Sequence, residues 1–451
     1  MSDLTDAVER WAAQQTGYRL FDDYYRGRHQ LRFASPDFQN KHAQKLVTDA
    51  VLSIRENLCP AAVSAFTDGI NVDSWGDQGD AIADEVGLSR LEGLVDRAGF
   101  KSGDAFAVVW LGPDGQPRPT FQRPDVMVPS VDPDRPDQLE WAARVWCDAH
   151  NYGRVNLYYA DRLERWRTVD PVRQSASDAA NLPLWDDNWQ PMDDADGDVI
   201  AHTFGVVPVC WWKRDPDDHL DNGHSILTDV IPLQDASNAA LADIIITAEA
   251  FARPLIVALN MKDDAAPVNP FAANDTPRPQ QRFNPDRQQI LALDGAGPVS
   301  RLDPPDLTKV LAVQETFSAK VARVIGAPSY YFSQTSGDVP SGESLRVLST
   351  RRTATIKAWQ RDAEPVWRGL MQLLGVADPE IVWADPMPLD PLERAQIAQV
   401  KHSIGYSLAD LAEYLGEADP DGIVARAAEA QAGDATAVGR ALMGGSLGFG
   451  S

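Results

Sequence analysis

Gly444-Gly445-Ser446-Leu447-Gly448 fits the spacing of a nucleophile elbow. That turn needs a strand before it, a helix after it, and acid and histidine partners further along the chain. Here the sequence stops three residues later, so the match predicts no catalysis. "DDADGD", Asp193 to Asp198, places carboxylates at alternate positions as a calcium loop does. It lacks the glycine at position six and the bidentate glutamate at position twelve, and reads as a polar hairpin turn. His219 and His224 are five apart with no glutamate between them, which excludes the helical two-histidine zinc motif. His29, His42 and His402 are scattered and read as structural or exposed. Cys59, Cys147 and Cys210 have no metal-ligand spacing and suggest no disulfide framework, which points to a reducing compartment. There is no G-x-x-x-x-G-K-[ST] phosphate loop. Gly295-Ala296-Gly297 runs into Pro298, which obstructs a dinucleotide fingerprint. No cofactor and no metal site is expected.

The basic residues Arg346, Arg351, Arg352, Lys357 and Arg361 lie together on one helical segment, mostly off its apolar stripe. A solvated or intersubunit face accounts for them better than nucleic-acid binding. The 13 tryptophans are spread through the chain without a basic groove beside them. They read as core or interface anchors and not as a stacking platform.

These residues need elements to hold them. Residues 1–70 read as mostly helical. Lys45 to Ala65 carries one apolar stripe, with Pro60 expected to kink or end that helix. Another helix runs from Leu88 to about Gly99. The pattern then changes to short, β-branched and aromatic runs: Asp104–Leu111, Thr120–Gln122, Val126–Val131, Leu139–Cys147, Arg154–Tyr159 and Leu163–Val169. Their spacing predicts an antiparallel sheet or meander. "HTFGVVPVCWWK" from His202 is another extended segment. Leu227–Ala252 reads as a helix with Leu233, Leu241, Ile244, Ile245, Ala248 and Phe251 on one side and Asp235, Asp243 and Glu249 elsewhere. Short strands flank a Pro/Asn/Asp-rich insert, and Leu307–Ile325 is helical. Ser341–Leu374 is the longest helix, with a bend expected at Pro365. Short helices fill 391–431, and the tail "MGGSLGFGS" is expected to be disordered.

The chain has 451 residues, 44% hydrophobic and 24% charged, enough for two or three domains with a sizeable core. Its net charge is −25, so most of its surface repels nucleic acid. The opening MSDLTDAVERWAAQQ lacks the basic and apolar regions of a signal peptide. No apolar run reaches the roughly 18 residues of a membrane span.

Five stretches carry a resemblance: "FDDYYRGRH" (21–29), "NLCPAAVSAFTDGINV" (57–72), "HTFGVVPVCWW" (202–212), "FSAKVARVIGAPSYYF" (317–332) and "SGESLRVLSTRRTATIKAWQ" (341–360). With the order of elements, they make the chain resemble the portal proteins of tailed bacteriophages, the head-to-tail connectors. The resemblance covers nearly the whole chain. It implies an α+β fold with a mixed α/β wing, a helical stem, a small β-containing clip, a long kinked helix and a helical crown. By position, the wing is 1–224 with the long helix 341–386. The stem is 225–253 and 305–326, the clip is 254–304, and the crown and tail are 387–451. Residues 327–340 match the tunnel loop, with Ser333, Gln334, Thr335, Ser336, Gly337 and Asp338 facing a DNA channel and Tyr330, Tyr331 and Phe332 anchoring its root between subunits.

The implied protein is no enzyme. It is a homododecameric ring at one capsid vertex of the virion, assembled in the host cytoplasm, through which the genome is packaged and ejected. Implied partners are the large terminase subunit, a head-completion or adaptor protein, and the major capsid and scaffolding proteins. Double-stranded DNA would pass through without sequence-specific binding, and no membrane is involved. Two other readings stay open: a non-portal oligomeric scaffold, and a hydrolase whose site is built from non-contiguous carboxylates.

Overall fold

The computed structural model describes residues 2–29, 56–172, 182–184, 186–192, 197–216, 222–252, 256–259, 290–293, 307–332, 342–387, 391–415, 422 and 424–426. The chain opens with helices α1 (Asp3–Tyr25) and α2 (Cys59–Thr67), strand β1 (Val72–Ser74), and helices α3 (Asp77–Val86) and α4 (Leu88–Ser102). Strands follow: β2 (Asp104–Leu111), β3 (Pro117–Gln122), β4 (Met127–Asp132), β5 (Arg135–Cys147), β6 (Gly153–Tyr158), β7 (Arg162–Thr168), β8 (Trp189–Pro191), β9 (Val199–Ala201) and β10 (Val209–Lys213). Then come α5 (Leu227–Ala252), β11 (Ile256–Leu259), β12 (Ile290–Leu293), α6 (Leu307–Ile325), α7 (Gly342–Leu373) and β13 (Val382–Trp383). They are followed by α8 (Pro391–Ser403) and α9 (Leu408–Leu415). Residues 1–386 and 387–451 form two separate compact units.

Strands β4 to β8 form an antiparallel meander in sequence order, with β9 on the free part of β7. A second antiparallel sheet has the order β10-β2-β3. The predicted antiparallel arrangement is thus present. β11 and β12 pair in parallel, a direction that their short sequences do not reveal. Strand β2 explains its own composition. Successive side chains point to opposite faces, and here both faces are covered. Ala105, Ala107 and Val109 join the main core, while Phe106 and Val108 face a smaller core against Met127, Ala142 and Tyr158. A near-continuous apolar run follows.

α1 begins with Ser2, whose Oγ accepts from the Thr5 amide at 3.3 Å. Its buried residues Leu4, Val8 and Trp11 recur at helical spacing and pack on Val128, Trp141, Val145 and Leu157 of the meander. The main core lies under α2, α4 and α7, with the start of α5 and the end of α6.

Pro60 corrects one expectation. It stands in the first turn of α2 and starts that helix instead of ending one. Proline suits this place, because the first-turn amides have no intrahelical acceptor. Residues 45–55 of the expected stripe lie outside the described residues, as does the tail "MGGSLGFGS". Pro232 and Pro365 lie inside α5 and α7, both on exposed sides.

A layer of buried polar groups joins α5 and α6 to residues 56–58. The Gln234 side chain donates to the Glu56 carbonyl at 2.7 Å and accepts from the Leu58 amide at 2.7 Å. Asn238 accepts from the Glu56 amide at 3.1 Å. The Glu56 carboxylate accepts from Ser237 of α5 and from Gln314 of α6. Asp235, expected away from the packed side of α5, is buried and accepts from the Tyr24 hydroxyl. In the second unit, Ser407 and Asp410 cap α9 reciprocally, with amide-to-side-chain distances of 3.0 and 3.2 Å. Among the described residues, no helix is long and apolar enough to cross a membrane.

Candidate functional site

Gly326 ends α6 with φ +75°, and a Cβ there would meet the Arg351 side chain at 2.6 Å. The backbone needs glycine on both counts. A single 3-10 turn, Ser329–Tyr331, follows. Phe332 is 8% exposed and sits in the chain's own core, whereas Tyr330 and Tyr331 are 38% and 44% exposed with ring centroids 4.8 Å apart. A neighbouring molecule can reach the two tyrosines but not Phe332. Burial raises the Tyr331 hydroxyl pKa, and nearby Arg352 opposes the rise. Ser333, Gln334, Thr335, Ser336, Gly337 and Asp338 lie outside the described residues.

Across from this turn, Arg352 is buried at 8% exposure, so it does not belong to a solvated face. Its guanidinium donates to the carbonyls of Ala65 and Pro386. The signal for this was available in the sequence. Arg352 stands four residues before Ile356 and seven before Trp359, within the buried stripe of α7. Arg361, by contrast, is exposed and pairs with Asp362.

Several buried carboxylates bear on the hydrolase reading. Asp104 accepts from the Tyr18 hydroxyl at 2.8 Å, the Trp211 indole at 2.9 Å and the Gly223 amide at 3.0 Å. It ties α1, β10 and the turn before α5 to the start of β2. Burial pushes its pKa up to about 6, against those three donors. Asp96 accepts from the Trp359 indole at 2.7 Å, and burial raises its pKa well above the ordinary range. Glu92, one helical turn earlier, accepts from the Val72 amide at 2.8 Å and is raised by burial to about 7. Each carboxylate therefore has a donor that fixes one element to another. Perturbed carboxylates do mark active sites when they converge on a cleft. None of these three lines the cleft described next.

That cleft holds about 240 Å³ between α1, α4 and the β3–β4 connection. Its walls carry Arg19, Arg26, Arg97, Lys101 and Arg123. Asp22 pairs with Arg26 at 2.7 Å and Lys101 at 2.9 Å. Burial works against the charge on Asp22, but Lys101 and Arg26 prevail and hold its carboxyl below the usual range. Sequence reasoning did not single out this cleft, since its basic residues come from three separated segments. Among the described residues, no group of His, Cys, Asp and Glu could hold a metal ion. His29 is buried, stacked on Tyr24 at 4.1 Å, with Nε2 3.2 Å from Asn238. His224 lies in the turn before α5, and its carbonyl accepts from Arg214. His219 and Asp193 to Asp196 lie outside the described residues.

A family model described as phage portal protein, SPP1 Gp6-like, matches residues 95–405, more than half of the chain. Similar solved structures include the neck of a native gene transfer agent particle computed with C12 symmetry. Its identity is 14%, it covers 85% of this chain and 94% of that chain, and the TM-score is 0.45. The neck of an empty particle of the same kind, computed with C6 symmetry, has 13% identity, 80% and 90% coverage, and a TM-score of 0.46. No curated protein matches the chain.

Proposed function

The chain belongs to the SPP1 Gp6-like family of phage portal proteins, and from that premise we propose that it forms a homo-oligomeric ring at one capsid vertex. The ring is the channel for genome packaging and ejection. It docks the large terminase subunit during filling and a head-completion protein afterwards. The family match over residues 95–405 carries this reading.

A surface feature supports it. On α6, Val313 and Val324 are 48% and 41% exposed and eleven residues apart, which puts them on one face. Tyr330 and Tyr331 follow, and Val347 and Leu348 of α7 are 71% and 52% exposed. So many exposed apolar side chains in consecutive elements suit contact with another subunit. In this reading, α5 and α6 belong to the stem, the segment between them to the clip, and residues 1–224 with α7 to the wing. Residues 327–340 form the tunnel loop and residues 387–451 the crown. The ring is twelvefold in the virion.

The purified protein should give large homo-oligomers without nucleotide or metal. Negative-stain images should show a ring with a central hole. Compact monomers at every salt concentration, in images and in light scattering, would overturn the reading. A scaffold that oligomerises without a central hole would appear in the same images.

A further inference from the structure

We propose that the cleft between α1 and α4 is a socket for a carboxylate-bearing surface of a second copy of this chain. The proposal rests on the ring reading and adds to it a specific contact between neighbours.

The cleft contradicts the composition around it. The chain has 66 acidic and 41 basic residues. The cleft nevertheless gathers five cations against three carboxylates, Asp22, Asp23 and Asp125. Two of these carboxylates are already engaged. Asp22 bridges Arg26 and Lys101, and Asp125 pairs with Arg123 at 2.9 Å. Arg19 on the α1 wall and Arg97 on the α4 wall are exposed, and among the described residues neither has an ion pair or hydrogen bond. Two guanidinium groups thus stand on opposite walls with their donor forks unused. A guanidinium fork matches a carboxylate in geometry and charge.

The floor decides between ligand classes. Tyr18, Leu94, Ala98, Phe121 and Pro124 give the cleft an apolar base. A protein side chain can fill such a base while its carboxylate meets the arginines. A nucleic-acid backbone instead needs a track of cations, and here Asp23 stands exposed beside Arg19. A partner with 66 acidic against 41 basic residues has carboxylates to spare, and in the ring that partner is the neighbouring copy.

The test uses the full chain. Arg97→Lys places a primary amine at the mouth, and a zero-length carbodiimide joins an amine only to a carboxylate in contact with it. Rings assembled from equal parts of isotopically heavy and light chains are treated, digested and analysed by mass spectrometry. A peptide joining Lys at position 97 of one copy to an acidic residue of another, with mixed isotope labels, is the expected result. Links found only within single copies overturn the proposal.

A second measurement is the concentration at which half of the protein is assembled. The double variant Arg19→Glu/Arg97→Glu should raise it about tenfold or more at low salt, with the difference shrinking as salt screens the contact. Both residues are exposed, so thermal unfolding of the subunit should barely change. Unchanged assembly by this variant, beside wild-type rings, overturns the socket and leaves the ring reading standing. Wild type that forms no ring under any condition overturns the ring reading itself.

Discussion

A buried carboxylate for which the loss of water outweighs its hydrogen-bond donors prefers to keep its proton. Asp96 and Asp104 are placed in this way, and Glu92 faces a backbone amide. In the unfolded chain they release protons at ordinary values, 3.8 for Asp and 4.5 for Glu. In the folded chain burial raises Asp104 to about 6, Glu92 to about 7 and Asp96 beyond the ordinary range. Between about pH 4 and 7 the folded state therefore binds more protons than the unfolded state. Stability must fall as pH rises through that window. Asp22 works in the opposite sense, but its stabilisation is lost only as pH falls below 3.8. Thermal unfolding from pH 4.5 to 7.5, at a fixed oligomeric state, should show a melting temperature that declines with pH. Asp96→Asn keeps an oxygen for the Trp359 indole and has no charge to bury, so its decline should be shallower. Equal slopes for the two proteins would mean that Asp96 ionises freely in the fold.

Trp359 shows how one side chain docks whole elements. It is 2% exposed, donates to Asp96 of α4, and lies edge-on to Phe100 with centroids 5.7 Å apart. A Cβ on Gly99 would meet its ring at 2.4 Å, so α4 presents a glycine where α7 comes closest. Trp359→Ala should cost about 3–5 kcal/mol, the range for deleting a buried aromatic. Trp359→Phe keeps most of the volume but leaves Asp96 without its donor, and should cost about 1–3 kcal/mol. Denaturant unfolding measures both, and a loss under about 1 kcal/mol for the alanine variant would show that α7 does not depend on this contact. The burial of Trp359, Trp367 and Ile356 was legible in the sequence, because helical spacing reveals an apolar stripe without reference to any partner. So were the bounds of β2, α6 and α7 to within about two residues. The strand pairing of β11 with β12 was not legible, since its partners are 34 residues apart and direction depends on the path between them. Polar burial escaped for a related reason. Asp235 and Gln234 are polar by type and buried only because Tyr24 and Leu58 come from distant elements to meet them. The cleft needed three segments to converge, which no local pattern records.

At the scale of the assembled particle, charge decides how DNA would move. Twelve copies at −25 each would carry −300, so such a ring would repel DNA and let it slide. The segment Ser333 to Asp338 suits the narrowest point of that path by sequence. Its residues are small or uncharged up to Asp338, which adds repulsion toward phosphate. Phe332 holds the start of the segment in the core of its own subunit, which gives a fixed root from which a loop can reach inward. Asp338→Arg would replace twelve negative charges by twelve positive ones. Phosphates held by arginine release their counterions and bind firmly. The segment is polar and contains glycine, so the substitution removes little buried apolar area and should leave subunit stability nearly unchanged. Rings of the variant should therefore assemble and join capsids, yet fill poorly, because DNA would be gripped where it must slip. The measurement is packaged DNA per capsid beside wild type, with ring assembly checked by microscopy. Normal filling through well-formed variant rings would show that this segment does not line the path of the DNA. Failure to assemble would place Asp338 at a contact between subunits instead.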